Sequence, residues 1–94
     1  MKVYISGPIS GDSFHKEKFK RAEEELRESG YEPVNPLTAD GAGMVMMYKD
    51  SIYFDLDLLA ECDGIYMLKG WRNSKGARLE HQDAVTVGLW IAHQ

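Results

Sequence analysis

Residues 1–11, MKVYISGPISG, pose the question from which the fold can be read. Val3-Tyr4-Ile5 is a short apolar run, the pattern of a strand buried on both faces. It stops abruptly at Ser6-Gly7-Pro8-Ile9-Ser10-Gly11. Beyond the glycines, Asp12 or Ser13 is placed to cap a helix running through Glu28, with Phe14, Phe19, Ala22 and Leu26 toward one side. Gly30 is its C-terminal stop. The opening is thus strand, loop, helix, and the loop is either a plain turn or a segment shaped to lie against a ligand.

The same grammar repeats along the chain. Tyr31 to Val34 reads as a second strand ended by Asn35-Pro36, and Leu37 to Gly43 as a loop. A second helix is expected from about Met44 to Cys62, with Ile52, Leu56 and Leu59 on one face, broken at Asp63-Gly64. Ile65 to Leu68 is a third strand and Gly70 to Gly76 another loop. A third helix starts near Ser74, covers Ala77 to Val87 and stops at Gly88, before a last strand over Leu89-Trp90-Ile91. Alternation of this kind specifies an α/β domain, a parallel sheet of about four strands with helices on both faces. One domain covers residues 1–94, without repeat or linker. Ligands of such sheets sit beyond the carboxyl ends of the strands, so residues 6–12, 35–43 and 69–76 share one rim.

Composition narrows the classes. With 44% hydrophobic and 28% charged residues the chain reads as an ordinary globular domain. No apolar run approaches the roughly 20 residues that span a bilayer, and Met1-Lys2-Val3-Tyr4 lacks the apolar stretch of a secretory signal. The single cysteine, Cys62, leaves no partner for an internal disulfide or a cysteine-based zinc site. A cytoplasmic protein with no membrane partner is the expectation. The net charge of −4 argues against tracking nucleic-acid backbones. Lys16, Lys18, Lys20 and Arg21 run into Glu23-Glu24-Glu25, the pattern of a solvated helix face. A small anionic ligand is still permitted.

Chemistry-bearing groups gather on the rim. Ser74-Lys75-Gly76 just ahead of the third helix leaves backbone N–H groups free at its positive end, and Ser6-Gly7 and Ser10-Gly11 do the same before the first. Such residues are common caps; two sets on one rim suggest a phosphate or sugar hydroxyl as ligand. Glu80 lies in the first two turns of the third helix, with Ala77 and Ala84 on neighbouring turns. It is either a surface glutamate or a functional one. Asp55 stands among Ile52, Leu58 and Leu59, where a carboxylate is costly unless paired or used; an aspartate at the edge of the stripe is the plainer reading. Together the two would equip one pocket for attack at a sugar anomeric carbon. His15, His81 and His93 have no ligand spacing with acidic partners, so no metal is expected. Met44, Met46 and Met47 read as packing at a helix start, and Cys62 as a small core residue. Trp71 in the rim loop either stacks on a base or packs at the edge.

The stretches YISGPISG, FDLDLLAECDGIYMLKGW and SKGARLEHQDA occur in this order and resemble the nucleoside 2-deoxyribosyltransferase-like superfamily. Within it the chain most resembles a small phage- and bacteria-associated subgroup described as a domain of unknown function, DUF4406. The resemblance implies a three-layer Rossmann-like, flavodoxin-related fold and cleavage or exchange of the N-glycosidic bond of nucleosides or nucleotides. It implies that Glu80 is the nucleophile, that Ser74 and Gly76 bind phosphate or hydroxyl, and that Asp55, opening Asp55-Leu56-Asp57-Leu58-Leu59, is the helix carboxylate. Tyr4 matches the first-strand tyrosine, which would orient the glutamate. Ser6, Gly7, Gly11, Trp71 and Arg78 complete the expected substrate-binding set; Arg78 stands where related nucleotide hydrolases often have a small residue, and could hold a phosphate or fill the site. No cofactor is expected. The expected partner is a nucleoside or nucleotide, with a homo-oligomer completing a shallow pocket through Trp90, Ile91 and Tyr53. A nucleotide-binding module without turnover and a partner-binding scaffold are the alternatives.

Overall fold

The computed structural model describes residues 1–9, 11–37 and 58–94. Its strands are β1 (Lys2–Ser6), β2 (Glu32–Val34), β3 (Gly64–Met67) and β4 (Trp90–His93). The helices are α1 (His15–Glu28), α2, described over residues 58–60, and α3 (Lys75–Val87). A short 3₁₀ turn, Trp71–Asn73, stands between β3 and α3. The strands form one parallel sheet in the order β2-β1-β3-β4. This is the flavodoxin-like order through four strands, the fold that the resemblance implied, while the alternation of elements implied its parallel pairing.

Strand order dictates the layers. The chain moves from β1 to β2 on one side and then back across β1 to β3, so right-handed crossovers must lie on opposite faces. The period-2 alternation of β1 supplies both with apolar side chains. Val3 and Ile5 pack with Phe19, Ala22 and Leu26 of α1. Tyr4 packs on the other face with Leu59, Ile65, Met67, Ala77 and Ala84, bringing α2 and α3 onto the sheet. Because β1 is central and covered twice, Val3, Tyr4 and Ile5 are fully buried.

α1 and α3 end by the same device. After α1, the Gly30 N–H donates to Arg27 O and the Tyr31 N–H to Leu26 O, with Gly30 at φ 90°. After α3, Gly88 (φ 79°) and Leu89 repeat the pattern onto Val85 O and Ala84 O. These are Schellman closures, whose left-handed residue favours glycine over side chains that would be strained there. They turn each helix directly into the following strand.

Several boundaries differ from expectation. α1 begins at His15 after Phe14, which makes no side-chain cap and is 65% exposed rather than on the buried face. Asp12 instead accepts the Phe14 N–H at 2.9 Å and the Lys18 ammonium at 2.7 Å, an Asx turn that leads into the helix. β4 runs two residues further than its apolar run, because pairing with β3 continues through Ala92 and His93. Cys62 lies past the helical residues 58–60. The expected loop from residue 38 and helix from 44 to 57, with Met44, Met46, Met47, Tyr53 and Asp55, lie outside the described residues. Among the described residues no helix is long and apolar enough to cross a membrane.

Candidate active site at the β1–β3 switch point

β2 and β3 leave β1 in opposite directions, so the crevice at the carboxyl ends of β1 and β3 is the topological switch point. The chain crowds there. A Cβ on Gly7 would stand 2.8 Å from Leu68 Cβ, so glycine at the end of β1 makes room for the end of β3. Gly7 is buried, and its lack of a side chain serves this packing rather than an open ligand surface. Gly11, at φ 79°, is exposed with open space around it. Gly70, at φ 84°, opens the 3₁₀ turn after β3 beside Pro8 of the first loop.

α3 enters this crevice with a capped N-terminus. Ser74 is its N-cap, with its Oγ accepting the Ala77 N–H at 3.2 Å. The expected anion-binding serine is therefore also a helix cap. Gly76 is half-buried in the first turn, and Arg78 is exposed and forms no ion pair among the described residues. Arg78 and Glu80 form no ion pair with each other.

Ala77, Glu80 and Ala84 are the buried residues of α3, a stripe at helical spacing facing the sheet. Small residues on either side of Glu80 let the helix lie close to β1, which presents Tyr4 and Ser6 on that face. The Tyr4 hydroxyl donates to Glu80 Oε2 at 2.5 Å, and the Ser6 hydroxyl donates to Oε1 at 2.7 Å. All three side chains are buried, with Glu80 5% exposed and Ser6 1%. A carboxylate here would be costly without such donors, and each of its oxygens has one. Glu80 and Tyr4 therefore meet as their motif positions suggested, while the hydroxyl of Ser6 serves the carboxylate.

The rim beside them is aromatic and basic. The half-buried Trp71 stacks on His81 with ring centroids 4.3 Å apart, and the Arg72 guanidinium lies 4.7 Å from the Trp71 ring centre. His93 of β4 tilts against both rings, 6.1 Å from Trp71 and 6.4 Å from His81. Trp71 is thus anchored on α3 one residue beyond Glu80. His81 as its support was not legible, because a histidine at that spacing carries no sign of its partner. Asn35, at the end of β2, is a further buried polar residue on the rim, accepting the Leu37 N–H through Oδ1 at 3.0 Å. Among the described residues no group of three His, Cys, Asp or Glu is arranged to hold a metal.

A separate groove of about 630 Å³ runs along α1, lined by Phe14, Glu17, Arg21, Glu25 and Lys69 among others. Its side chains are all exposed, mostly charges of mixed sign beside Phe14 and Gln94, with no converging buried group. The chemistry therefore points to the Tyr4–Ser6–Glu80 cluster instead.

Comparison with known proteins bears on the fold. The CMP N-glycosidase BcmB of Clostridium botulinum superposes with a TM-score of 0.70 over 99% of this chain and 70% of its own, at 22% identity. The 2-desoxiribosyltransferase from Leishmania mexicana superposes with a TM-score of 0.74 over 98% of this chain, at 15% identity. This chain spans 62% of the length of that transferase. Below 25% identity, both likenesses show a shared fold. No curated protein matches significantly in sequence. The DUF4406 family, a domain of unknown function, matches residues 1–93, and the chain belongs to that family.

Proposed function

We propose that this protein cleaves the N-glycosidic bond of a nucleoside or nucleotide, or transfers its 2′-deoxyribosyl group, with Glu80 as nucleophile. The observation that carries the reading is the buried Glu80 carboxylate at the switch point, with its oxygens held by Tyr4 and Ser6 hydroxyls. The activities of the two fold relatives, a CMP N-glycosidase and a deoxyribosyltransferase, point the same way.

In this reading a Glu80 oxygen attacks C1′ while the bond to the base breaks and its electron pair leaves with the base nitrogen. The transition state is oxocarbenium-like, and the product is a glycosyl ester of Glu80. Asp55 is the proposed second carboxylate, positioning the sugar or protonating the departing base. Water or a second base then attacks C1′ and returns Glu80 to its carboxylate, giving hydrolysis or transfer. Tyr4 holds the carboxylate plane throughout. Trp71, fixed by His81, is the proposed stacking surface for the base, and Gly11, Gly76 and Arg78 border the sugar or phosphate with the α3 N-terminus. A homo-oligomer in which a neighbour supplies a pocket wall belongs to the same proposal.

The test is base release from 2′-deoxynucleosides, their 5′-monophosphates and CMP, followed by chromatography. Release by the wild type and its loss in Glu80→Ala and Glu80→Gln are expected. Absence of release from every substrate at high enzyme concentration overturns the proposal. The near-complete burial of Glu80 favours one competing reading, a nucleotide-binding module without turnover. Nucleotide-induced thermal stabilisation without product, retained in Glu80→Gln, would establish that reading instead.

A further inference from the structure

We infer that Ser6 is a positioning residue for Glu80, setting its orientation and its charge, rather than a contact for substrate. The inference rests on the proposed role of Glu80 as nucleophile. Ser6 is 1% exposed, so a ligand on the rim does not reach its hydroxyl. Its backbone is pinned as well: it pairs with Met67 across the sheet, and its carbonyl accepts the Leu68 N–H at 2.8 Å. The one proton of its hydroxyl is spent on Glu80 Oε1.

Strand geometry makes the pair of donors effective. Tyr4 and Ser6 are two residues apart on the same face of β1, about 7 Å along the strand. Glu80 descends from α3 between them. The long tyrosine side chain reaches Oε2, and the short serine side chain reaches Oε1. Donors on both oxygens resist rotation about the terminal torsion of the glutamate, which a single donor would leave broad. A nucleophile aimed in this way meets C1′ in a near-attack geometry, where small displacements carry large rate penalties. A hydroxyl donated to a carboxylate also favours its ionised form, the form a nucleophile requires.

The experiment compares wild type, Ser6→Ala and Ser6→Thr on the best substrate of the panel. Ser6→Ala is expected to lower kcat by roughly tenfold to a hundredfold with KM unchanged. The acid limb of its kcat–pH profile should move to higher pH, and Ser6→Thr, which keeps the hydroxyl, should restore that limb. A second readout needs no turnover: carbon-13 NMR titration of the Glu80 carboxyl, assigned through Glu80→Gln. Its midpoint should rise in Ser6→Ala relative to wild type. If Ser6→Ala fails to fold, the near-isosteric weak donor Ser6→Cys is held to the same expectations. A wild-type midpoint and acid limb in the variant lacking the hydroxyl overturn the inference. Absence of turnover in every protein would overturn the proposed reaction, while the titration would still decide the role of Ser6.

Discussion

Tyr4 and Tyr66 each donate a hydroxyl hydrogen bond to a glutamate, and removing those hydroxyls should have unequal consequences. Tyr4 is fully buried and donates to the buried Glu80 at 2.5 Å. Tyr66 donates to Glu25 at 3.2 Å in an exposed setting. Tyr4→Phe keeps the ring that fills the core beside Ile65 and Met67 but withdraws the donor from Oε2. Water cannot readily replace it, so the cost is that of a hydrogen bond to a buried charge, about 2 kcal/mol. For a domain of 94 residues that is a fall in Tm of roughly 8–16 °C. At Tyr66 solvent takes over the lost partner and screens the charge, so Tyr66→Phe should cost less than about 0.5 kcal/mol. Urea unfolding at neutral pH, with thermal melts beside it, measures both. A cycle with Glu80→Gln should return a Tyr4–Glu80 coupling of about 1–2 kcal/mol. Equal losses at the two tyrosines, or a neutral Tyr4→Phe, would refute the view that burial makes the Glu80 cluster energetically special.

Other consequences follow from single contacts. A Cβ at Gly64 would stand 2.7 Å from Trp90 Cε3 and 3.0 Å from the Trp90 carbonyl oxygen. Gly64→Ala should therefore destabilise by roughly 1–3 kcal/mol in urea, and Trp90→Leu in the same chain should recover only part, because the carbonyl remains. The Asp12 carboxyl is held below its ordinary value of 3.8, first by the Lys18 side-chain hydrogen bond and then by the Phe14 N–H. A depressed carboxyl stabilises the fold above the unfolded value and loses that contribution as pH falls through the folded one. The stability gap between wild type and Asp12→Asn should thus be constant above about pH 5 and close toward about pH 2, a trend that acid-series melts would show or deny. Burial pushes the Cys62 thiol up to about 11, so iodoacetamide should label it slowly in the native protein and quickly in urea; matching rates would contradict its burial.

The architecture was legible because it depends on local signals that repeat. Short apolar runs bounded by glycine or proline, and stretches of helical spacing, mark the described strands and α1 and α3 in order, while the 3₁₀ turn at Trp71–Asn73 falls within an expected loop. Gly30 and Gly88 close their helices as read, since a left-handed residue after a helix is a local steric demand. The start of α1 was misplaced for an equally local reason. Asp12 and Ser13 both look like caps, and only the Lys18 ammonium and the turn from Ile9 decide how Asp12 is used. β4 ran longer than its apolar pattern because an edge strand ends where its neighbour stops offering hydrogen bonds.

By itself, then, the sequence determined a βαβ alternation, a rim on which the loops after β1 and β3 meet, and the identity of the residues able to do chemistry there. What only the tertiary structure decided is which of them touch. Tyr4 and Glu80 are separated by 76 positions, and Ser6 and Glu80 by 74, yet one carboxylate joins all three. From sequence Ser6 belonged to a ligand loop and Gly7 to its approach surface. In the fold the serine faces Glu80, and the glycine is where Leu68 crosses the end of β1. The physical reason is that spacing along the chain sets the face on which a side chain emerges. Its partner is set by which helix packs on that face and how closely, a distance that the small residues Ala77 and Ala84 control from far along the chain.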